Sequence, residues 1–131
     1  MRVLVVDDEA PARRRLCRLL AELGDVEVVG EAADGVEARA KIDALAPDAV
    51  LLDVQMPELD GLEATRRLCG RYPLAQRPWI VAMTANAMEG DRDDCLAAGM
   101  DDYLSKPIRA AAITEALRRA GAGLVQRRQI T

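Results

Sequence analysis

The sequence predicts an α/β fold, a parallel sheet covered by helices on both faces, and three observations carry that expectation. Short apolar runs recur five times, and longer stretches of helical pattern fall between and after them. Those runs are continuous rather than alternating in polarity, which suits strands buried on both faces. Helix-start and helix-stop residues punctuate the intervals between them. With 131 residues, 50% of them hydrophobic, one compact domain can bury its core without metal or disulfides.

The first strand, 3–6, is followed by Asp7-Asp8-Glu9 and by a helix over 11–23, with Pro11 at a first helical position and Gly24 just past the end. The second strand, 26–29, leads to a helix over 35–46. Its start pairs Asp34 with Glu37 three residues on, the spacing of a capping box. The third strand, 49–52, precedes a helix over 61–69, where Asp60 and Glu63 repeat the box and Gly70 follows. The fourth strand, 80–83, leads to a helix over 87–98 that stops at Gly99. The fifth, around Tyr103-Leu104, leads to a helix over 107–120 with Pro107 at its start and Gly121 beyond it. From 121 to 131 the apolar period is lost and Arg127 and Arg128 appear, so this end reads as a frayed tail. The domain is expected over 1–122, with 123–131 a tail or linker stub.

Composition narrows the functions available. The net charge is −4, with 22 acidic against 18 basic residues, and no run of Lys or Arg forms a basic face, which disfavours direct binding of DNA or RNA. Four apolar residues ahead of Asp7 are too few for a signal-peptide core, and no apolar run approaches a membrane span, so a cytoplasmic protein is expected. Cys17, Cys69 and Cys95 are odd in number and form no metal-ligand pattern; they read as reduced packing residues. The chain has no histidine, which excludes a histidine phosphocarrier, a Ser-His-Asp hydrolase and a His-ligated metalloenzyme. Chemistry here must run on carboxylates, hydroxyls and lysine, and the only lysines are Lys41 and Lys106.

In open α/β sheets ligands bind beyond the carboxyl ends of the strands, so the residues after each apolar run belong together as a set. They are Asp7, Asp8 and Glu9 after the first strand, Asp53 after the third, Thr84 after the fourth, and Ser105 and Lys106 after the fifth. Clustered carboxylates repel one another, and with no histidine or arginine among them the natural partner is a hard divalent cation, Mg²⁺ first. One carboxylate is then free to act as a nucleophile on phosphorus, with Lys106 and Thr84 placed to bind the transferred oxygens. Singly, each residue has an ordinary role open to it: a capping turn for Asp7-Asp8-Glu9, a loop residue for Asp53, a helix cap for Thr84, an exposed amine for Lys106. Their joint position on one side of the sheet is what argues against coincidence.

Four blocks carry a resemblance to a known family: Val3-Leu4-Val5-Val6-Asp7-Asp8-Glu9; Leu51-Leu52-Asp53-Val54-Gln55-Met56-Pro57 with Asp60-Gly61; Ala82-Met83-Thr84-Ala85; and Gly99-Met100-Asp101-Asp102-Tyr103-Leu104-Ser105-Lys106-Pro107. In this order they resemble the receiver domains of bacterial two-component response regulators, from Met1 to about Ala120. The resemblance implies a flavodoxin-like (βα)5 three-layer sandwich with a five-stranded parallel sheet in the order 2-1-3-4-5. It implies that Asp53 is the phosphoacceptor, that Asp8 ligates Mg²⁺ directly and Asp7 largely through water, and that the Gln55 carbonyl completes the protein ligands. Lys106 then contacts the phosphoryl group, Thr84 and Tyr103 form a switch pair, and the Lys106-Pro107 bond is cis.

The implied partners are a histidine kinase or histidine phosphotransfer protein upstream and an output protein or domain downstream, the latter meeting the surface of the fourth helix, fifth strand and fifth helix. The segment through Arg67 is similar to stand-alone regulators with DNA-binding output, and 79–108 to the receivers of hybrid sensor kinases. Ala110, Ala111, Ala112 and Ala116 replace some charges that would pair with the carboxylates before Tyr103, so an apolar docking face is expected rather than an ion-paired dimer; equally, these alanines serve as good helix formers packing on the sheet. The expected function is a phosphorylation-controlled switch, not an enzyme acting on other substrates. An aspartyl-phosphate-type phosphatase would carry a second carboxylate where Gln55 stands. A receiver-like interaction domain that is never phosphorylated usually lacks an acid or the lysine, and this chain keeps them all.

Overall fold

Five strands, β1 (Arg2–Val6), β2 (Glu27–Ala32), β3 (Ala49–Asp53), β4 (Trp79–Thr84) and β5 (Asp102–Ser105), form one all-parallel sheet in the order β2-β1-β3-β4-β5. The structure is a computed structural model and describes residues 1–53, 77–84, 99–106 and 108–128. The sequence expectation of the order and of each strand holds. Continuous burial belongs to the three inner strands, whose apolar residues apart from Trp79 are shielded, whereas β2 and β5 at the sheet edges are only partly covered. The β1–β2 register slips between Val3 and Leu4.

Three helices are described: α1 (Ala10–Ala21), α2 (Gly35–Leu45) and the C-terminal helix α3 (Ala110–Arg128). The two-residue period of the strands sorts the core into two layers. Leu4, Val6, Val50, Leu52, Ile80 and Ala82 face Ala38 and Ile42 of α2. Val3, Val5, Leu51, Val81 and Met83 face Leu16 and Leu20 of α1 and Ile113, Ala116 and Leu117 of α3. Burying each large aliphatic side chain contributes about 1.5–3 kcal/mol, which holds the helices to the sheet.

Asp34 caps α2 as its spacing implied, accepting from the Glu37 N–H at 2.8 Å, while Glu37 turns its carboxylate to Lys41. No glycine ends this helix; Ala46 itself takes the left-handed turn, with φ 47°. Gly99 adopts a positive φ, 103°, a conformation that glycine takes without strain. The expected helices at 61–69 and 87–98, the Asp60–Glu63 box, Gly70, Cys69 and Cys95 lie outside the described residues. Cys17 is half-buried and free.

Two expectations at the C-terminus are corrected. The last helix starts at Ala110 rather than at Pro107, and it runs through Gly121 and the expected boundary at 122 to Arg128. Residues 121–128 are therefore not a frayed tail. Leu124 and Arg127 continue the buried stripe of Ile113, Ala116, Leu117 and Ala120 at helical spacing, with an arginine filling an inward position. The Arg127 guanidinium stacks 5.0 Å from the Trp79 ring centre, pairs with Asp101, and donates to the carbonyls of Arg77 and Pro78.

Candidate functional site

The residues singled out at the strand ends meet at one mouth of the sheet. Asp7 follows β1, Asp53 ends β3, Thr84 ends β4 and Lys106 follows β5, so neighbouring parallel strands deliver them side by side. Strand phase separates them by task. Asp53 shares its face with Ala49 and Leu51, and Asp7 and Lys106 continue the rows of Val3 and Val5 and of Leu104, on the α1–α3 side. Thr84 and Tyr103 fall in the opposite phase, with Tyr103 packed on the α2 side of the core. Tyr103 sits opposite Ala82 in register and Thr84 opposite Ser105, so the hydroxyl and the ring occupy adjacent strands one pleat apart. A backbone bond from the Lys106 N–H to the Thr84 carbonyl, 2.7 Å, joins the two strand ends.

Asp7, Asp8 and Asp53 each present a carboxylate oxygen within 4.8 Å of the other two. Asp7 and Asp53 are buried and Asp8 is exposed, which leaves the cluster open to solvent on one side. At these separations each pair of charges repels by roughly 3–4 kcal/mol at an effective dielectric near 20. Lys106 offsets part of that, its Nζ lying 3.2 Å from Asp7 Oδ2 and 3.4 Å from Asp53 Oδ2. Burial works against this ammonium, but the charges of Asp53 and Asp7 and the hydrogen bonds to both outweigh it and raise the Lys106 pKa above the ordinary lysine value.

Three carboxylates and one ammonium leave the cluster net negative, and every donor in it is a hard oxygen. Such a set suits a hard divalent cation such as Mg²⁺, which takes one or two carboxylates and keeps several waters. Gln55 and Pro107, to which a ligand carbonyl and a cis bond were assigned, lie outside the described residues.

Asp7 is fixed on all its polar atoms. Its N–H donates to the Ala32 carbonyl at 3.0 Å, Oδ1 accepts from the Glu9 N–H at 2.9 Å, Oδ2 accepts from Lys106, and its carbonyl accepts from Arg13 Nη1 at 2.7 Å. Sequence reasoning missed Arg13. It stands in the run Arg13-Arg14-Arg15, where composition cannot show which guanidinium turns inward; helix phase turns Arg13 to the site and leaves the other two exposed. Beside it, burial and then the neighbouring Glu31 carboxylate raise the pKa of the Cys17 thiol, consistent with an unreactive packing residue.

The carboxylates before Tyr103 find partners within the chain. Asp102 accepts from Arg119 Nε at 2.7 Å, and Asp101 bonds the Ile80 N–H at 2.9 Å as well as Arg127. No helix among the described residues is long and apolar enough to cross a membrane.

Comparison with known proteins agrees with this geometry. The chain is 37% identical over 120 residues to the chemotaxis protein CheY of Listeria monocytogenes, covering 92% of this chain and 98% of that one. It is 42% identical over 124 residues to the positive alginate biosynthesis regulatory protein of Pseudomonas aeruginosa, covering 92% of this chain but 47% of the relative, so it spans about half of that protein's length. Among solved structures, the signal receiver domain of the putative response regulator NarL from Mycobacterium tuberculosis superposes with a TM-score of 0.84 at 31% identity, covering 93% of this chain and 96% of that one. The family model of the response regulator receiver domain matches residues 3–118, and with that match, the sheet order and the acidic mouth in agreement, the chain belongs to the response regulator receiver domain family.

Proposed function

We propose that this receiver domain accepts a phosphoryl group on Asp53 in a Mg²⁺-dependent reaction and thereby switches its surface for a downstream partner in a two-component phosphorelay of the cytoplasm. The observation that carries the reading is the convergence of Asp7, Asp8 and Asp53 within 4.8 Å, with Lys106 spanning Asp7 and Asp53. Asp7, Asp8 and Asp53, with the Gln55 carbonyl, are the residues that would hold Mg²⁺. When bound, the ion neutralises charge on the carboxylates and on the phosphoryl oxygens.

A carboxylate oxygen of Asp53 attacks phosphorus in line as the bond to the donor breaks, giving an aspartyl phosphate and the free donor. The donor is the phosphohistidine of a kinase or a phosphotransfer protein, or a small acyl phosphate. Lys106, already beside Asp53, takes up charge on the transferred group, and the Thr84 hydroxyl donates to another of its oxygens. The domain modifies itself and turns over no separate substrate. Tyr103, one pleat away on the next strand, fills space that Thr84 vacates, altering the β5–α3 surface. The test is intact-mass analysis after incubation with acetyl phosphate and Mg²⁺. Wild type should gain one phosphoryl group, and Asp53→Asn or wild type in EDTA none; equal uptake in Asp53→Asn overturns the assignment.

A further inference from the structure

Arg13, in the second turn of α1, takes no part in the chemistry above, yet it is tied to the site at both ends of its guanidinium. Nη1 donates to the Asp7 carbonyl at 2.7 Å, and Nε lies 3.4 Å from Glu31 Oε1 in β2. The Asp7 carbonyl belongs to the peptide joining Asp7 to Asp8. That unit is planar, so holding its oxygen holds the whole plane and sets the direction in which Asp8 leaves the chain. Asp8 needs such help. It is exposed, and among the described residues its carboxylate has no hydrogen-bond or ion-pair partner, whereas Asp7 is fixed by Ala32, Glu9 and Lys106.

We propose that Arg13 is a positioning residue of the cation site: it locks the Asp7–Asp8 peptide plane so that the Asp8 carboxylate is aimed at the oxygens of Asp7 and Asp53, with Glu31 orienting the guanidinium for that bond. The inference rests on the Mg²⁺ reading given above. It makes a prediction opposite in sign to simple electrostatics. A positive charge beside an acidic cluster opposes cation binding, so by charge alone removal of Arg13 tightens the site. By positioning, removal weakens it, because an unheld carboxylate must be ordered on binding, and loss of an outer-shell partner of a metal ligand typically costs tenfold or more in affinity.

The measurement is the Mg²⁺ dissociation constant by titration calorimetry at fixed ionic strength, on wild type, Arg13→Ala and Arg13→Lys, with far-UV circular dichroism to check folding. Arg13→Ala should bind about tenfold more weakly. Arg13→Lys keeps the charge but lacks the planar fork that reaches both Asp7 and Glu31, and should fall between the two. An unchanged or tighter constant in folded Arg13→Ala, with wild type binding normally, overturns the positioning role. If the alanine variant does not fold, the lysine variant decides: weaker binding supports the role and an unchanged constant overturns it. Absence of Mg²⁺ binding by wild type instead overturns the proposed function, and this inference with it.

Discussion

Lys106 is where the charge balance of the site rests on one atom. Asp7 is fully shielded from solvent and Asp53 nearly so, and the ammonium between them offsets part of their charge. Its pKa is raised above the unfolded value of about 10.4. Its contribution to stability is therefore complete below that value and is lost as pH rises through the higher folded value. In metal-free protein, the difference in urea stability between wild type and Lys106→Met should be constant across neutral pH and shrink only from about pH 10 upward. A difference that persists undiminished well above about pH 10 would show that the ammonium does not supply it. Lys106→Arg keeps the charge but brings a planar fork into the space of a compact ammonium, and should not restore phosphorylation-dependent output.

At the level of the element, α3 shows how two nearby glycines in one helix can differ in purpose. A Cβ on Gly123 would lie 2.1 Å from the Trp79 ring, so only glycine lets the helix rest on the indole. A Cβ on Gly121 would meet only the tip of Met1 at 3.5 Å, an ordinary contact. Gly123→Ala should therefore destabilise by about 1–3 kcal/mol through overpacking. Gly121→Ala should stabilise by about 0.5–1 kcal/mol through helix propensity alone. Urea unfolding of the two variants checks both signs, and equal effects would show that α3 does not lie on Trp79. The same ring explains why Arg127 belongs to the core stripe: its guanidinium lies over the indole while its charge meets Asp101.

Across the whole molecule, β4 runs from Trp79 at the closed end of the sheet to Thr84 at the mouth. Five residues at about 3.3 Å each put the indole roughly 16 Å from the acidic site along the strand. Mg²⁺ binding should leave Trp79 fluorescence nearly unchanged, and a large quench on titration would misplace either the ion or the strand direction. Output is a different matter, since it needs an element with two arrangements. Thr84→Ala should still accept phosphate at Asp53 yet transmit it poorly, because the proposed switch relies on its hydroxyl moving toward the phosphoryl group. Amide shifts of Tyr103 and its β5 neighbours, with and without beryllofluoride, read this directly. Equal shifts in wild type and Thr84→Ala would end the coupling proposal while leaving the phosphorylation site intact.

Five strands, the two described helices that follow the first two of them, and the gathering of Asp7, Asp8 and Asp53 at the sheet mouth were legible in the residue pattern. Those features are local: apolar continuity marks a buried strand, an Asp three residues before a Glu marks a helix start, and parallel strands leave their final residues at one mouth. The strand order came with the resemblance of four ordered blocks rather than with any pattern in the residues. Tertiary structure alone decided what depends on distant partners. Arg127 looked like a tail residue because its reasons for burial, Trp79 and Asp101, lie 48 and 26 residues away in the chain. Arg13 was hidden among three arginines because only the path of the loop after β1 places the Asp7 carbonyl beneath one of them. Composition records which charges a chain carries, and the fold decides which of them have a carboxylate, a carbonyl or a ring to meet.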